Sequence, residues 1–477
     1  MNQRHTPLFD AIQSHHQRQP VSMHVPGHKN GRVFPEKGRA FFETMLSIDY
    51  TELTNLDDLH EPEGCIKEAQ ELAAQWFGAR ESFFLIGGST VGNLAMILAV
   101  HQRGKPIIVQ RDCHKSVMHG LELAGALPVF VAPSYDSSVD IDGTLSAMEA
   151  YPDASGVVLT YPTYFGHTYH LERIIKRAKE LNILVLVDEA HGVHFSHSDV
   201  LPPSALELGA DVVVQSAHKM APSMTMGSYL HIAQQAGMSI RNKLANYLQM
   251  VQSSSPSYPI MASLDLARYY LANVTKEALL KSILSVSQFR EGLAKISIWD
   301  VAPCRAKDDP FKVTIRVKDW YDAQEIASIL EAKGFYPELV YQQSILLLFG
   351  LEGISNVEGY IQIFQEVEQE VTAHRNTQRA TIEAVSMFEG IPYQKAAYHY
   401  LQLSEMETEF VLWHEVENRI ACNHIIPYPP GIPLIMKGER VTKQQVDVLH
   451  TLLKQRIHIQ TNEASLEEGM HVYRERR

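Results

Sequence analysis

The chain has 477 residues, too many for one compact core, so we expect two or three domains. Hydrophobic residues make up 45% of the chain and charged residues 20%, which is ordinary for a folded globular protein and excludes a largely disordered one. The formal net charge of −13 argues against nucleic acid or an anionic membrane surface as the main partner.

The four cysteines are far apart in the sequence and form no C-x-x-C pair, which favours reduced thiols over disulfides or a zinc site. The first twenty residues are polar and carry no apolar signal segment. No apolar run reaches the length of about 18 residues that a membrane span needs. We therefore expect a soluble, cytoplasmic protein.

Residues 1–45 are predicted to form an arm that begins with a short helix over residues 6–16. A turn-rich loop, Val25–Gly31, contains the pair His28 and Lys29, and a second, acidic loop covers Asn55–Gly64. A helix over Ile66–Phe77 follows, with Gly78 at its C-cap position.

A short strand over Ser82–Ile86 leads into Gly87-Gly88-Ser89-Thr90 and an apolar helix over Thr90–Arg103. A strand, a glycine turn and two hydroxyls at a helix start place backbone N–H groups and the positive end of the helix dipole at one point. This pattern is typical of a phosphate site, although no P-loop lysine follows the glycines. An ordinary strand-to-helix turn with a serine N-cap is the alternative.

Strands and helices then alternate, which predicts a largely parallel sheet with helices on both faces. The predicted strands are Pro106–Gln110, Leu127–Ala132, Gly156–Thr160, Ile183–Val187 and Val212–Gln215, and a clear helix covers Leu171–Leu181. Two of the strands end in residues with evident chemistry: Asp188 follows one, and Ser216, His218 and Lys219 follow the other.

In a parallel sheet, ligands bind outside the carboxyl ends of the strands. A lysine and an acid that each end a neighbouring strand are the pair that a pyridoxal phosphate enzyme requires: the lysine holds the cofactor as a Schiff base, and the acid keeps the pyridine nitrogen protonated. The alternative is that Lys219 is an ordinary surface lysine. His191, His194 and His197 are spaced three apart, but the intervening Gly192 predicts a loop, and we expect no metal site.

From residue 276 the pattern indicates a small α/β domain. It has a half-exposed strand in which Val313, Ile315 and Val317 alternate with polar residues, a helix over Ala323–Lys333 and a strand over Ser344–Phe349. A polar stretch, Arg375–Arg379, suggests a boundary, and the stiff loop Tyr428–Pro433 lies in the last unit. The predicted domains are an arm (1–45), a large cofactor-binding domain (46–275), a small α/β domain (276–375) and a C-terminal domain (376–477).

Together these motifs make the chain resemble the class-I ornithine/lysine/arginine decarboxylases, in particular the shorter bacterial branch that includes biosynthetic arginine decarboxylases. The resemblance spans nearly the whole chain. It is carried by Pro26-Gly27-His28-Lys29, Leu56-Asp57-Asp58-Leu59-His60, Gly88-Ser89-Thr90, Asp188-Glu189-Ala190-His191-Gly192, Ser216-Ala217-His218-Lys219 and Tyr428-Pro429-Pro430-Gly431-Ile432-Pro433. It implies the aspartate-aminotransferase-like fold (fold type I), pyridoxal 5'-phosphate as cofactor, and decarboxylation of a basic L-amino acid to its amine and CO₂, as in polyamine biosynthesis.

The resemblance also implies roles for individual residues. Lys219 holds the cofactor, Asp188 pairs with the pyridinium nitrogen and His114 stacks on the ring. The expected phosphate contacts are Ser89, Thr90, Ser216 and His218, and Lys219 or His218 returns a proton to Cα. His191 is also expected near the cofactor, but the large members of the family carry tryptophan there, so its role stays open.

Three questions stay open from sequence. A related aminotransferase or oxoamine synthase shares Asp188 and Lys219 but is expected to lack the Tyr428–Pro433 loop, and a protein that binds the cofactor without turnover is a further alternative. The substrate is arginine, favoured by the shorter branch, or else lysine or ornithine. The acids considered for the substrate's basic head group are Asp57, Asp58 and Glu439.

The resemblance implies at least a symmetric homodimer. The loops Pro26–Gly31 and Tyr428–Pro433 are stiff and far in sequence from Lys219. We expect one or both to complete the neighbouring subunit's pocket, with His28 and Lys29 as contributors; the alternative is that they brace their own subunit.

Overall fold

The computed structural model describes residues 1–133, 140–373, 388, 391–428, 432–455 and 457–475. The predicted boundary at Arg375–Arg379 and residues Pro429, Pro430 and Gly431 of the proline-rich loop lie outside the described residues.

The helices are α1 Pro7–Gln17, α2 Glu36–Leu46, α3 Cys65–Phe77, α4 Gly88–Val100, α5 Lys115–Leu123, α6 Ile141–Ala150, α7 Leu171–Leu181, α8 Ala205–Leu208, α9 Ala217–Met220, α10 Met238–Val251, α11 Tyr258–Asn273, α12 Lys276–Leu293, α13 Ala323–Ala332, α14 Val357–Ala373, α15 Tyr400–Leu403 and α16 Lys443–Lys454. The strands are β1 Glu81–Leu85, β2 Pro106–Gln110, β3 Leu127–Val131, β4 Gly156–Thr160, β5 Leu184–Asp188, β6 Val212–Gln215, β7 Ser228–Ile232, β8 Trp299–Val301, β9 Lys312–Val317, β10 Leu339–Tyr341, β11 Ser344–Leu348, β12 Tyr393–Lys395, β13 Thr408–Leu412, β14 Ile420–Ala421, β15 Ile426–Tyr428, β16 His458–Gln460 and β17 Gly469–Tyr473.

The central sheet has eight strands in the order β1-β7-β6-β5-β4-β2-β3-β12. Strands β6, β5, β4, β2 and β3 are mutually parallel, whereas β7 and β12 pair antiparallel with their neighbours. The parallel strands are almost entirely buried, as their continuous β-branched and aliphatic sequences predict for a sheet covered on both faces. The predicted, mostly parallel sheet is therefore confirmed.

Helices cover both faces of this sheet. On one face, α4 packs against α5 and α10, and residues such as Ala95, Ile97 and Leu244 fill the layer between helix and sheet. On the other face, α6 and α7 contribute Ala147, Ile174 and other residues to a separate apolar cluster. Because β6, β5, β4, β2 and β3 are parallel, their carboxyl ends all lie at the same edge of the sheet.

Three smaller sheets follow in sequence among the described residues, and one of them is the antiparallel strand pair β15-β16. The first has the order β10-β11-β9-β8, is antiparallel and packs with α12, α13 and α14. The second has the order β13-β17-β14, and its apolar cluster includes Val448 and Leu449 of α16. The boundaries at residues 45, 275 and 375 stay predictions.

The prediction of a half-exposed strand at residues 312–317 is wrong. In β9, Lys312 and Thr314 are buried at 4% and 9% exposure, and Arg316 alone is exposed. Lys312 is buried because its side chain reaches back to the backbone carbonyl of Tyr164, where Nζ donates at 2.6 Å. Alternation of polarity therefore identified the strand but not what its polar face contacts.

The amino-terminal segment divides into two parts. Leu8 and Ile12 of α1 are buried against α3 and α11, so this helix belongs to the packed core. By contrast α2 has no buried residue, and Phe41 and Phe42 of this helix are largely exposed. Within the part of the chain that the structure describes, no helix is long and apolar enough to cross a membrane.

Candidate active site

The residues singled out at strand ends meet at the carboxyl edge of the central sheet. Asp188 is the last residue of β5 and lies beside Val214 of the neighbouring strand β6. Ser216 follows β6 and precedes the short helix that carries Lys219. Ser89 lies in the first turn of α4, and His114 precedes α5. The sheet thus brings together residues that are more than 100 positions apart.

Ser89 and Ser216 form the hydroxyl-lined end of the site. Their Oγ atoms lie 2.7 Å apart, and Ser89 Oγ also lies 3.4 Å from Ser228 Oγ. Helix α4 starts at Gly88, which has a φ of 73° that favours glycine, and the N-cap is Gly87 without a side-chain bond. The alternative of a serine N-cap is therefore wrong. The first-turn N–H groups and the hydroxyls lie where an anionic group can be bound.

Asp188 forms the opposite end of the site and is 3% exposed. Asn93 Nδ2 donates to Asp188 Oδ2 at 2.8 Å and to Ser116 Oγ at 2.9 Å. Ser116 Oγ in turn lies 2.8 Å from His114 Nδ1. These bonds orient the carboxylate and the imidazole together while leaving the His114 side chain exposed, as a ring that stacks on a ligand requires.

Lys219 is half-buried, with Nζ 3.2 Å from His191 Nε2. Burial lowers the pKa of the Lys219 ammonium below its usual range, and the Asp188 and Glu338 carboxylates oppose this shift. Burial also lowers the pKa of His191 well below its usual value, and the nearby Lys312 and Lys219 add to the effect. The lysine therefore has more of the neutral, nucleophilic amine at a given pH than an exposed lysine has.

His218 lies beside Lys219 with its Nδ1 2.9 Å from the carbonyl oxygen of Gly227. Because a carbonyl oxygen only accepts, Nδ1 carries the proton, and Nε2 is the nitrogen left for proton exchange. Thr90, by contrast with Ser89, is exposed.

Sequence reasoning missed three residues that approach Lys219 from other elements. Tyr164 contacts the His191 ring edge to face, with ring centroids 4.7 Å apart. Lys312 Nζ donates to the Tyr164 carbonyl oxygen at 2.6 Å, and burial lowers the pKa of this lysine to about 8. Tyr164 Oη donates to Glu338 Oε1 at 2.6 Å. Asn93 was missed as well, although it lies one helical turn after Ser89 and so shares its helix face.

The acids considered for a substrate head group are engaged elsewhere. Both oxygens of Glu439 bind Arg111, and Oε2 also accepts from the Met436 N–H; the side chain is 0% exposed. Asp57 accepts hydrogen bonds from the backbone of the 58–67 segment at the start of α3, including those of Glu63 and Gly64. Asp58 accepts from the His60 N–H. Glu439 and Asp57 are therefore occupied by contacts within the protein, whereas a head-group role for Asp58 stays a prediction.

Glu189 and His194 have structural contacts, whereas His191 belongs to the candidate site. Glu189 is fully buried and accepts from Gln215 Nε2 at 2.6 Å and from the Ala205 N–H at 2.7 Å, while burial raises its pKa to about 8. His194 Nε2 lies 3.2 Å from Asp309 Oδ1, whereas His191 faces Lys219. Among the described residues, no group of three His, Cys, Asp or Glu side chains is arranged to hold a metal ion.

The arrangement fits pyridoxal phosphate by its donor set. It offers hydroxyls and helix N–H groups at one end, a buried carboxylate at the other, an exposed imidazole beside that carboxylate, and a half-buried amine. A cavity of about 930 Å³ lies elsewhere, lined by residues of α1 and α3 such as Asp10 and Glu68, and includes none of these side chains.

Comparison with known proteins gives one family. Residues 6–308 match the family model described as Orn/Lys/Arg decarboxylase, major domain, and residues 375–460 match Orn/Lys/Arg decarboxylase, C-terminal domain. The uncharacterized protein YaaO of Bacillus subtilis (strain 168) is 45% identical over 486 residues, which cover 98% of each chain. An arginine decarboxylase of the same organism is 32% identical over 500 residues, covering 100% of this chain and 99% of that protein.

A solved structure gives the fold independently. The constitutive lysine decarboxylase of E. coli matches with a TM-score of 0.80 at 20% identity, covering 99% of this chain and 82% of that chain. At this identity the match establishes the architecture alone. The predicted fold class, an aspartate-aminotransferase-like (fold type I) large domain with smaller C-terminal domains, is confirmed.

Proposed function

The chain belongs to the Orn/Lys/Arg decarboxylase family, and we propose that it removes CO₂ from a basic L-amino acid with the help of pyridoxal 5'-phosphate. The observation that carries the proposal is the pairing of Asp188 and Lys219 at the ends of two adjacent parallel strands, beside the hydroxyl-lined start of α4. A surface lysine does not require such surroundings, so this geometry supports a cofactor site.

The residues of the candidate site have distinct roles toward the cofactor in this proposal. Lys219 would hold the cofactor through its amine, and His114 would stack on the cofactor ring. Ser89, Thr90, Ser216 and His218 bind the phosphate, aided by the N-terminus of α4. Asp188 holds a proton on the ring nitrogen, and Asn93 orients this carboxylate. His191 positions the Lys219 amine.

The bound cofactor supplies an electron sink for the pair released from the Cα–carboxylate bond. The protein's contribution is to keep that sink deep through the carboxylate of Asp188, since a charge-assisted hydrogen bond contributes about 1.5–3 kcal/mol. After CO₂ leaves, a proton returns to Cα from Lys219 or from His218 Nε2. The half-buried Lys219, with its lowered pKa, is suited to act both as amine and as proton donor.

Arginine is the substrate that we favour among the basic amino acids. The support is the full-length similarity to an arginine decarboxylase, at 32% identity. Lysine and ornithine have the same α-amino acid group as arginine and also a cationic side chain, so the site can bind and decarboxylate them by the same chemistry.

We also propose a homodimer that works in the cytoplasm. The segment after α1 exposes apolar side chains that a second copy would bury, since Met23 is 90% and Phe41 86% exposed. The four cysteines are free thiols, which suits a reducing compartment.

The test is CO₂ release by the purified protein, loaded with pyridoxal phosphate, from arginine, lysine and ornithine in parallel. We expect release from at least one of them, greatest with arginine, together with an equal amount of the corresponding amine. Transfer of the amino group to a keto acid without CO₂ release would instead indicate an aminotransferase, and binding of cofactor without either product would indicate a non-catalytic role.

A further inference from the structure

The small domain places the carboxylate of Glu338 beside Tyr164 of the candidate active site, and among the described residues this carboxylate has no ion-pair partner. Glu338 directly precedes β10, and its side chain is exposed. We propose that Glu338 binds the basic head group of the substrate's side chain, an inference that rests on the proposed function and adds a specificity residue to it.

A continuous set of contacts connects Glu338 to Lys219. Glu338 Oε1 accepts from Tyr164 Oη at 2.6 Å. The Tyr164 ring lies edge to face with the His191 ring, and His191 Nε2 lies 3.2 Å from Lys219 Nζ. The substrate's α-amino group must come to Lys219, so a side chain that extends from it along these two rings ends near the Glu338 carboxylate.

The charges around Lys219 leave Glu338 without a cation of its own. Among the described residues, no lysine, arginine or histidine forms an ion pair with it. Lys312 interacts more strongly with Asp309 than with Glu338, because the Asp309 charge raises the pKa of Lys312 more than the Glu338 charge does. The Glu338 charge nevertheless acts on both Lys219 and Lys312 and raises the pKa of each against the effect of burial, so Glu338 lies within electrostatic range of both amines.

The substrate supplies the missing cation. Arginine, lysine and ornithine differ from a neutral amino acid of similar length by a guanidinium or ammonium group at the end of the side chain. With Oε1 held by Tyr164, the carboxylate is fixed in direction and Oε2 is left to accept from that group. A guanidinium can also bind both oxygens, which is consistent with arginine as the proposed substrate.

The experiment compares two amines as ligands of the cofactor-loaded protein: cadaverine, and pentylamine, which lacks one terminal amino group of cadaverine. Binding is followed by the change in cofactor absorption, so it does not depend on turnover. We expect the wild-type protein to bind cadaverine about 10- to 100-fold more tightly than pentylamine, the factor that a hydrogen bond to a charged group gives. Glu338→Gln keeps an acceptor for Tyr164 but removes the charge, and should reduce this preference to near unity.

The matched control is Glu331→Gln, which removes an exposed carboxylate from the end of α13 in the same domain and should leave the preference as in wild type. In the steady state, Glu338→Gln should raise KM for the basic substrate by about 10- to 100-fold and change kcat little. The inference would be overturned if the wild type showed no preference for cadaverine, or if the preference survived in Glu338→Gln. Absence of CO₂ release by the wild type would overturn the proposed function and not this binding preference.

Discussion

Asp188 is a buried carboxylate held by side-chain and backbone amides. Asn93 Nδ2 and the Ala190 N–H donate to its two oxygens, which leaves the rest of its lone pairs for a cationic ring nitrogen. Asp188→Asn keeps the shape but removes the charge. We expect turnover to fall by about 10- to 100-fold, because a charge-assisted hydrogen bond contributes about 1.5–3 kcal/mol, while cofactor binding persists.

The measurement is CO₂ release per bound cofactor, with Asp142→Asn as the control, because Asp142 is an exposed carboxylate that pairs with Arg173 away from the site. Near-normal turnover in Asp188→Asn would contradict the role given to this residue.

The lowered pKa of Lys219 predicts a pH dependence for cofactor loading. Only the neutral amine reacts with an aldehyde, so loading of cofactor-free protein should speed up as the pH rises through the pKa of Lys219. Because burial lowers that pKa, the midpoint should lie below 10.5, the ordinary value. The Asp188 charge raises the pKa, so Asp188→Asn should shift the midpoint further down. Absorption of the forming adduct reports the rate, and an upward shift in the variant would contradict this electrostatic account.

The sequence predicted some residues of the candidate site and missed others. Asp188 and Lys219 were predictable because each follows an apolar run, and strand ends meet at one edge of a parallel sheet. Tyr164, Lys312 and Glu338 were not, since their meeting depends on how the small domain packs on the large one. Asp57 and Glu439 were considered for the head group because the sequence does not show their contacts. Backbone N–H groups already donate to Asp57, and Arg111 already binds Glu439.

Helix α4 carries Ser89 and Asn93, and its close approach to the sheet fixes both. At Gly92, an added Cβ would lie 2.8 Å from Leu85 Cδ1 and 2.8 Å from Val214 Cγ1. In Gly92→Ala, the overpacking cost of about 1–3 kcal/mol should exceed the gain of about 1 kcal/mol in helix propensity. We expect a net loss of stability of about 1 kcal/mol in urea unfolding and weaker cofactor binding, because the helix start must shift.

Gly237→Ala is the control for this change. Gly237 is the N-cap of α10 and has no heavy atom within 4 Å of an added Cβ, so its substitution causes no overpacking. Alanine is a poorer N-cap than glycine, so Gly237→Ala should lower the stability by about 0.5–1 kcal/mol in urea unfolding and leave cofactor binding unchanged. Cofactor binding that is equally unchanged in both variants would show that α4 tolerates movement away from the sheet.

The elements themselves were largely predictable. The buried strands β2, β4 and β6 and helix α7 have the predicted bounds, because β-branched runs and helical periodicity leave little choice. Helix α4 was predicted to start at Thr90 and to end at Arg103, but it covers Gly88–Val100. Gly88 of the glycine turn already belongs to the helix, and at His101 the backbone is no longer helical. The amino-acid composition reveals neither of these two boundaries.

At the scale of the whole molecule, the segment that follows α1 raises the question of assembly. In one subunit, His28 Nε2 lies 3.2 Å from Asp49 Oδ2 and Lys29 Nζ binds the His24 carbonyl, so both residues also have contacts in their own chain. If the segment completes a neighbour's pocket, Lys219→Ala and His28→Ala should each be nearly inactive alone. After unfolding and refolding together they should recover activity, since one pocket of each hybrid dimer has both residues.

A mixture of Lys219→Ala with Asp188→Asn is the matched control, because both changes lie in the same subunit's part of the site. In this mixture no hybrid pocket is complete, and activity should not rise above that of the parents. If the first mixture also stays inactive while hybrids form, these loops brace their own subunit only.

The most direct test of the proposed function is reduction with borohydride, which fixes the cofactor to the amine that it is bound to. Without substrate, reduction should fix the cofactor to Lys219, as peptide mapping would show. With arginine present during turnover, labelling of Lys219 should fall, and the reduced cofactor should be recovered joined to the amine left after loss of CO₂. Labelling of another lysine, or recovery of adducts that all retain the carboxylate, would contradict the claim that Lys219 serves a basic amino acid decarboxylase.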